Sequence, residues 1–266
     1  MGLACVLMGI RYEKGFMVAE DAERAARMYR RGCGTTGEPE NAEACTLLGA
    51  LHQKGLGVDE DHGRARALYQ RACEADYAVA CTHLGDLHEQ GKGVEKDRAR
   101  SRGLYRKACS GGHGQACFNV GLRREMGDGV ARDLPTAVLL YDVACASGYS
   151  SACNSLGVML EEGEGIQSNV MRAAELFEKA CQSGHAKGCF NLGGSYQTGK
   201  GVERDPKKAL NYFRKACHAG YDAACFNAGK GLSEDANPEA RIRAMMLFED
   251  ACDAGEATAI PVAIEL

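Results

Sequence analysis

The sequence predicts an all-α solenoid of about seven 36-residue helix-turn-helix repeats, and three recurrences carry that reading. Cysteines, a Gly-x-Gly-Val/Ile element and a polar helix-capping residue all return at one period. The cysteines fall at 5, 33, 45, 73, 81, 109, 117, 145, 153, 181, 189, 217, 225 and 252, and from Cys45 the gaps alternate 28 and 8 until a last gap of 27. A self-similar period of this length marks a repeat architecture, whose units bury their apolar faces only by stacking on their neighbours.

Each unit reads as two antiparallel helices. Three residues after the first cysteine comes Leu-Gly or its equivalent: Leu48-Gly49, Leu84-Gly85, Val120-Gly121, Leu156-Gly157, Leu192-Gly193 and Ala228-Gly229. A mid-helix glycine costs about 1 kcal/mol against alanine, so its recurrence predicts that another helix passes close by. In the unit starting at Ala186, Leu192 and Tyr196 share one face of the first helix, which is expected to stop at Gly199 in the left-handed C′ position. Asp205 then caps a second helix with Pro206 at its first position and Ala209, Tyr212, Phe213 and Ala216 as the apolar stripe. Asp21, Asp61, Asp97, Asp133 and Asn169 stand where Asp205 does, twelve residues before a cysteine. The repeats are expected at about 1–36, 41–76, 77–112, 113–148, 149–184, 185–220 and 221–256, as one domain over 1–266 with a short tail at 257–266.

The ends depart from the pattern. The first residues read as the first helix of a repeat and not as a signal peptide, so the sequence is expected to begin inside a repeat, with Met17 where the first loop should have its second glycine. A Gly/Thr-rich insertion of four residues within Gly34 to Glu40 lengthens the turn between Cys33 and Cys45. The seventh unit loses Gly-x-Gly-Val, and its second helix is expected to start near Asn237-Pro238.

Composition excludes several function classes. The 266 residues are 45% hydrophobic and 26% charged, with interspersed charges that sum to −4. That balance argues against nucleic acid or a membrane surface as an electrostatic partner, and no apolar run reaches the roughly 20 residues of a membrane span. The Gly-x-Gly loops follow no strand and lack the Walker or Gly-x-Gly-x-x-Gly pattern, so they are turns and not phosphate cradles. No Cys-x2–4-Cys pair suggests zinc, and a repeated cysteine is no singular catalytic thiol, so no metal, cofactor or catalytic residue is assigned. His52 and His88 occupy equivalent positions; His83 lies five residues from His88, which is not a metal spacing.

Fourteen cysteines leave two pairings open: within a unit, as Cys189 with Cys217, or across the loop between units, as Cys217 with Cys225. Loop entropy does not choose between them, at about 2–3 kcal/mol for the shorter and about 3–4 kcal/mol for the longer closure. Reduced cysteines in a cytosolic core are the third possibility.

The unit Ala-Cys-Phe-Asn-Leu-Gly-x-x-Tyr-x-x-Gly-x-Gly-Val-x-x-Asp-x-x-x-Ala-x-x-Tyr/Phe-x-x-Ala-Cys resembles the Sel1-like repeat, a relative of the tetratricopeptide repeat. With its cysteine pairs, it is similar to the Helicobacter cysteine-rich proteins and to a cysteine-rich assembly factor of the mitochondrial intermembrane space. The resemblance implies a right-handed α/α solenoid cross-linked by disulfides between Cys33 and Cys45, Cys73 and Cys81, Cys109 and Cys117, Cys145 and Cys153, Cys181 and Cys189, and Cys217 and Cys225. Cys5 and Cys252 are then left over, with partners expected before Met1 and near Ile260. It also implies a secreted or periplasmic protein; the intermembrane space is the alternative, or the cytoplasm if the cysteines are reduced. His113 and His185 stand before first helices, where the family often has histidine for packing.

By analogy with the tetratricopeptide clamp, the position two after the first cysteine should face a concave groove. His83, Asn119, Ser155, Asn191 and Asn227 hold it, and Asp86 shares the stripe one turn on. Asparagine offers donors and an acceptor to the backbone of an extended peptide. The expected function is a monomeric, non-enzymatic scaffold that holds a protein or extended peptide in this groove. The alternative implied by the resemblance is a weak penicillin-binding or β-lactamase-like activity, for which the chain has no Ser-x-x-Lys with Ser-Asp-Asn.

Overall fold

The computed structural model describes residues 2–34, 41–233, 244 and 246. Among them, the regular structure consists of thirteen helices: α1 (Gly2–Lys14), α2 (Ala22–Cys33), α3 (Ala42–Lys54), α4 (His62–Glu74), α5 (Ala78–Gln90), α6 (Arg98–Ser110), α7 (Gly114–Met126), α8 (Leu134–Ala146), α9 (Ser150–Glu162), α10 (Val170–Gln182), α11 (Ala186–Thr198), α12 (Pro206–His218) and α13 (Asp222–Ser233). Odd-numbered helices open a repeat and even-numbered ones close it. The chain divides into two compact units, Met1–Leu122 and Arg123–Leu266. The expected second helix of the seventh repeat, the tail and Cys252 lie outside the described residues.

Local chemistry sets the helix ends. The Asp61 carboxylate accepts from the Arg64 backbone N–H at 2.9 Å. Asp21, Asp97, Asp133, Asn169 and Asp205 cap their helices in the same way. This satisfies one of the N–H groups that a helix start leaves unpaired. First helices stop at Gly55, Gly91, Gly163 and Gly199, whose φ values of 66° to 81° lie in the left-handed region that glycine enters at no steric cost.

The recurrent mid-helix glycine has a more specific cause than a passing helix. In the first unit, a Cβ on Gly49 would stand 2.7 Å from a ring carbon of Tyr69, and one on Gly85 would stand 2.9 Å from Tyr105. In the second unit, Gly157 faces Phe177 at 2.6 Å and Gly193 faces Phe213 at 2.7 Å. Within each hairpin, then, the glycine is the socket for the aromatic ring of the second helix.

Within each unit, the second glycine of the loop fixes the stacking between repeats. A Cβ on Gly57 would meet the backbone carbon of Ala22 at 2.2 Å, and one on Gly201 would meet the Val170 carbonyl oxygen at 2.0 Å. Gly93 lies against His62, and Gly165 against Leu134, in the same manner. The loop of one repeat therefore rests on the start of the preceding repeat's second helix. Met17 occupies this place in the first loop, at φ 62° and 84% exposed.

Stacking makes a shared core in the first unit, from Val6 through Tyr69, Leu84 and Leu87 to Ala116, beside a smaller cluster of Ala25, Ala26, Tyr29, Leu48 and Leu51. In the second unit, Cys181, Phe213, Ala216 and Ala228 belong to one such core. Tyr212, expected in the apolar stripe of α12, is only half-buried, while Ala209, Phe213 and Ala216 are buried as the pattern requires.

All six eight- and twelve-residue cysteine pairs stand at bonding distance, with Cα atoms 4.4–4.7 Å apart. The second helix of each repeat is thereby tied to the first helix of the next. Cys5 is a free, half-buried thiol. Among the described residues, no helix is long and apolar enough to cross a membrane.

Candidate peptide-binding face

The first helices of neighbouring repeats touch, α1 with α3 and α3 with α5 in one unit and α9 with α11 in the other. Second helices approach one another less closely. The inner face of each unit is therefore built from first helices, and all six expected groove residues are half-buried on them.

In the first unit the expected groove positions are polar, and His83 and Asp86 are partnered. The His83 ring stacks on Tyr69, with centroids 5.0 Å apart and planes at 21°. Burial pushes the His83 imidazole below its ordinary value, against the opposing pull of Asp86. The Tyr105 hydroxyl donates to the Asp86 carboxylate at 2.5 Å. Burial still holds the Asp86 carboxyl above the usual aspartate range, opposed by that hydrogen bond and by His83 and His113. Asn119 is half-buried on α7.

In the second unit the amides are partly committed. Asn191 donates to the Asn154 side-chain oxygen at 2.9 Å, one repeat back. Asn227 donates to the Ala223 carbonyl of its own helix at 3.1 Å. Ser155 neighbours Asn154 in sequence, so the structure couples Asn191 to the position beside the expected one.

The histidines before first helices do more than pack. His185 Nδ1 accepts from the Gly188 backbone N–H at 3.1 Å and so caps α11. His113 Nδ1 lies 2.7 Å from the Thr82 hydroxyl. His52 Nδ1 is 3.1 Å from the Asp59 carbonyl, which can only accept, so that nitrogen carries the proton. Among the described residues, no group of three or more His, Cys, Asp or Glu could hold a metal ion.

Two sets of contacts that hold the helices together escaped the sequence reading. Tyr29 donates to Glu13 at 2.6 Å, Tyr69 to Gln53 at 2.9 Å, and Tyr141 to Glu125. The signal was present: each tyrosine has Glu or Gln sixteen residues before it. Burial, reinforced by the acceptors Glu125 and Glu13, pushes the Tyr141 and Tyr29 hydroxyls above the usual phenol value. The other set is a ladder of cations. Lys107 donates to the Cys73 carbonyl at 2.8 Å, and Lys179 to the Cys145 carbonyl at 3.0 Å. Arg71 reaches the Cys33 carbonyl at 3.4 Å. Each places positive charge at the carboxyl end of the preceding repeat's second helix, where the helix dipole favours it.

Known proteins place this architecture. An Escherichia coli protective antigen of uropathogenic strains, displaying an SLR fold, superposes with a TM-score of 0.82 at 26% identity, covering 100% of this chain and 56% of its own. This chain therefore spans little more than half the length of that antigen. A Sel1 repeat protein from Oxalobacter formigenes superposes with a TM-score of 0.75 at 24% identity, covering 93% of this chain and 96% of its own. The Helicobacter pylori cysteine rich protein B is 28% identical over 49% of this chain and 93% of its own, with a TM-score of 0.41. No curated protein sequence matches the chain. The Sel1 repeat family model matches residues 2–33, 42–77, 78–113, 114–149, 150–185 and 186–221. Six consecutive matched repeats, each a helix hairpin joined by cysteines to the next, show that the chain belongs to the Sel1 repeat family.

Proposed function

We propose that this protein is a non-enzymatic scaffold that holds a protein or extended peptide along the inner face of its first helices. The observation that carries the reading is the chemistry of that face. Six half-buried positions, His83, Asp86 and Asn119 in one unit and Ser155, Asn191 and Asn227 in the other, present amide, carboxylate, imidazole and hydroxyl groups at one repeat position and its neighbour. Sel1 repeat folds commonly serve as protein-interaction scaffolds, which supports the assignment. The six disulfides fit an oxidising environment, and within that class we place the protein as a secreted or periplasmic monomer.

The test is selection from a displayed library of extended peptides, followed by titration of the selected peptide. Asn191→Ala combined with Asn227→Ala, both in the second unit, should weaken binding at least tenfold with an unchanged circular dichroism spectrum. Equal affinity for parent and variant would remove the groove from the proposal.

A further inference from the structure

A second cleft lies on the other side of the helix layer, in the second unit, between α10, α12 and the end of α11. It has a volume of about 550 Å3 and is lined by Tyr196, Tyr212, Lys208, Arg214, Lys215 and His218, with Glu178 as its one carboxylate. Tyr196 and Tyr212 stack in parallel, with centroids 5.5 Å apart and planes at 6°. The Lys208 ammonium sits 5.2 Å above Tyr196, and the Lys215 ammonium 5.2 Å above Tyr212. The result is a ladder of cation, ring, ring and cation. Each ring face holds an ammonium group in place without neutralising it, which lowers the entropy cost of meeting an anion.

Among the described residues, the ladder occurs in this repeat alone. Leu68, Leu104, Leu140 and Leu176 stand at the positions equivalent to Tyr212. The cations equivalent to Lys215, namely Arg71, Lys107 and Lys179, reach back to cap a carbonyl, whereas Lys215 lies over the Tyr212 ring. Lys208 lies 3.8 Å from its neighbour Asp205 and is otherwise turned to the cleft. Among the described residues, Arg214 and Lys215 have no carboxylate within ion-pair distance.

We propose that this cleft binds an acidic peptide segment, with carboxylates pairing to Lys208 and Lys215. Seven residues of helix separate the two lysines, about 10 Å of backbone at 1.5 Å per residue, and a cation at each end of the two-ring ladder spreads the charges further. About three to five residues of extended chain cover that spread at roughly 3.3 Å each, whereas one phosphate group does not. The outer ring faces are already covered by ammonium groups, so a planar base has no face on which to stack. The assignment is independent of the inner groove, because its residues lie mainly on second helices.

The experiment uses the full chain at low ionic strength and reads fluorescence anisotropy of labelled hexaglutamate, with hexaglutamine as neutral control and tripolyphosphate as competitor. Lys208→Glu with Lys215→Glu should weaken hexaglutamate at least tenfold, whereas Lys92→Glu with Lys96→Glu, the same charge change on the exposed surface of the other unit, should leave it unchanged. Tyr212→Leu, which installs the residue of the sister repeats, should weaken binding several-fold while keeping every cation, and reads the site even if the double variant is poorly folded. Three results would overturn the proposal: no hexaglutamate binding, equal losses in the two double variants, or tight tripolyphosphate binding without hexaglutamate binding.

Discussion

Gly193 on α11 and Phe213 on α12 form one joint: the ring occupies the space of the missing Cβ, with its nearest carbon 2.7 Å from where that atom would stand. The adjacent Gly194 has nothing within 4 Å of an added Cβ. Gly193→Ala gains up to about 1 kcal/mol of helix propensity but must displace a buried ring, which costs about 1–3 kcal/mol. Gly194→Ala gains the propensity alone. Chemical denaturation should therefore show a loss for the first substitution and a gain of up to about 1 kcal/mol for its neighbour.

Ser101 is fully buried, and among the described residues its hydroxyl has no hydrogen-bond partner. Ala65, Ala137, Ala173 and Ala209 hold the same place in other repeats. A buried, unsatisfied hydroxyl costs about 1–3 kcal/mol, so Ser101→Ala should raise the denaturation midpoint without changing the slope of the transition. A lowered midpoint would show that the hydroxyl is satisfied.

Alkylation of denatured, unreduced protein should add two labels by intact mass, one of them at Cys5, and prior reduction should add twelve more. Replacing Cys145 and Cys153 together by alanine opens an eight-residue loop and should cost about 2–3 kcal/mol. Fourteen labels without reduction would return the cysteines to a reduced core.

His185 caps α11 through an unprotonated Nδ1, and burial, helped by Lys187, holds its imidazole below the ordinary histidine value. The unfolded chain therefore takes up the proton first. The capping contribution is complete above the ordinary value of about 6.5 and is lost as pH falls through the lower folded one. His83, His88 and His113 are shifted in the same direction. Stability should fall between pH 7 and pH 5, and His185→Asn, which caps at any pH as Asn41 and Asn169 do, should make that fall shallower.

The repeat was legible because each of its devices is local. Asp205, Pro206 and Gly199 act within a few residues of themselves, and their spacing alone places α11 and α12. The six expected groove residues were legible only as positions on first helices. That Asn191 spends a donor on Asn154 depends on how one repeat lies on the one before, 37 residues away. Tyr212 was read as core because its spacing on α12 fits the apolar stripe, yet the stripe is narrower than its spacing suggests, and Phe213 alone fills the socket at Gly193.

The sequence by itself determined the repeat period, the helix ends and the family, because capping, left-handed glycine turns and apolar stripes are short-range physics written once per repeat. It left the cysteine pairing open, since both schemes satisfy the spacing and cost similar loop entropy. The tertiary structure decided that pairing. Within each unit, the loop's second glycine (Gly57 and Gly93, Gly165 and Gly201) seats on the preceding repeat's second helix, and this brings the cysteine that ends one repeat to within 4.7 Å, Cα to Cα, of the one that opens the next. The same stacking decided which side chains face inward and which cations were left over to line a second cleft, because those outcomes depend on contacts between repeats and not on the order of residues within one.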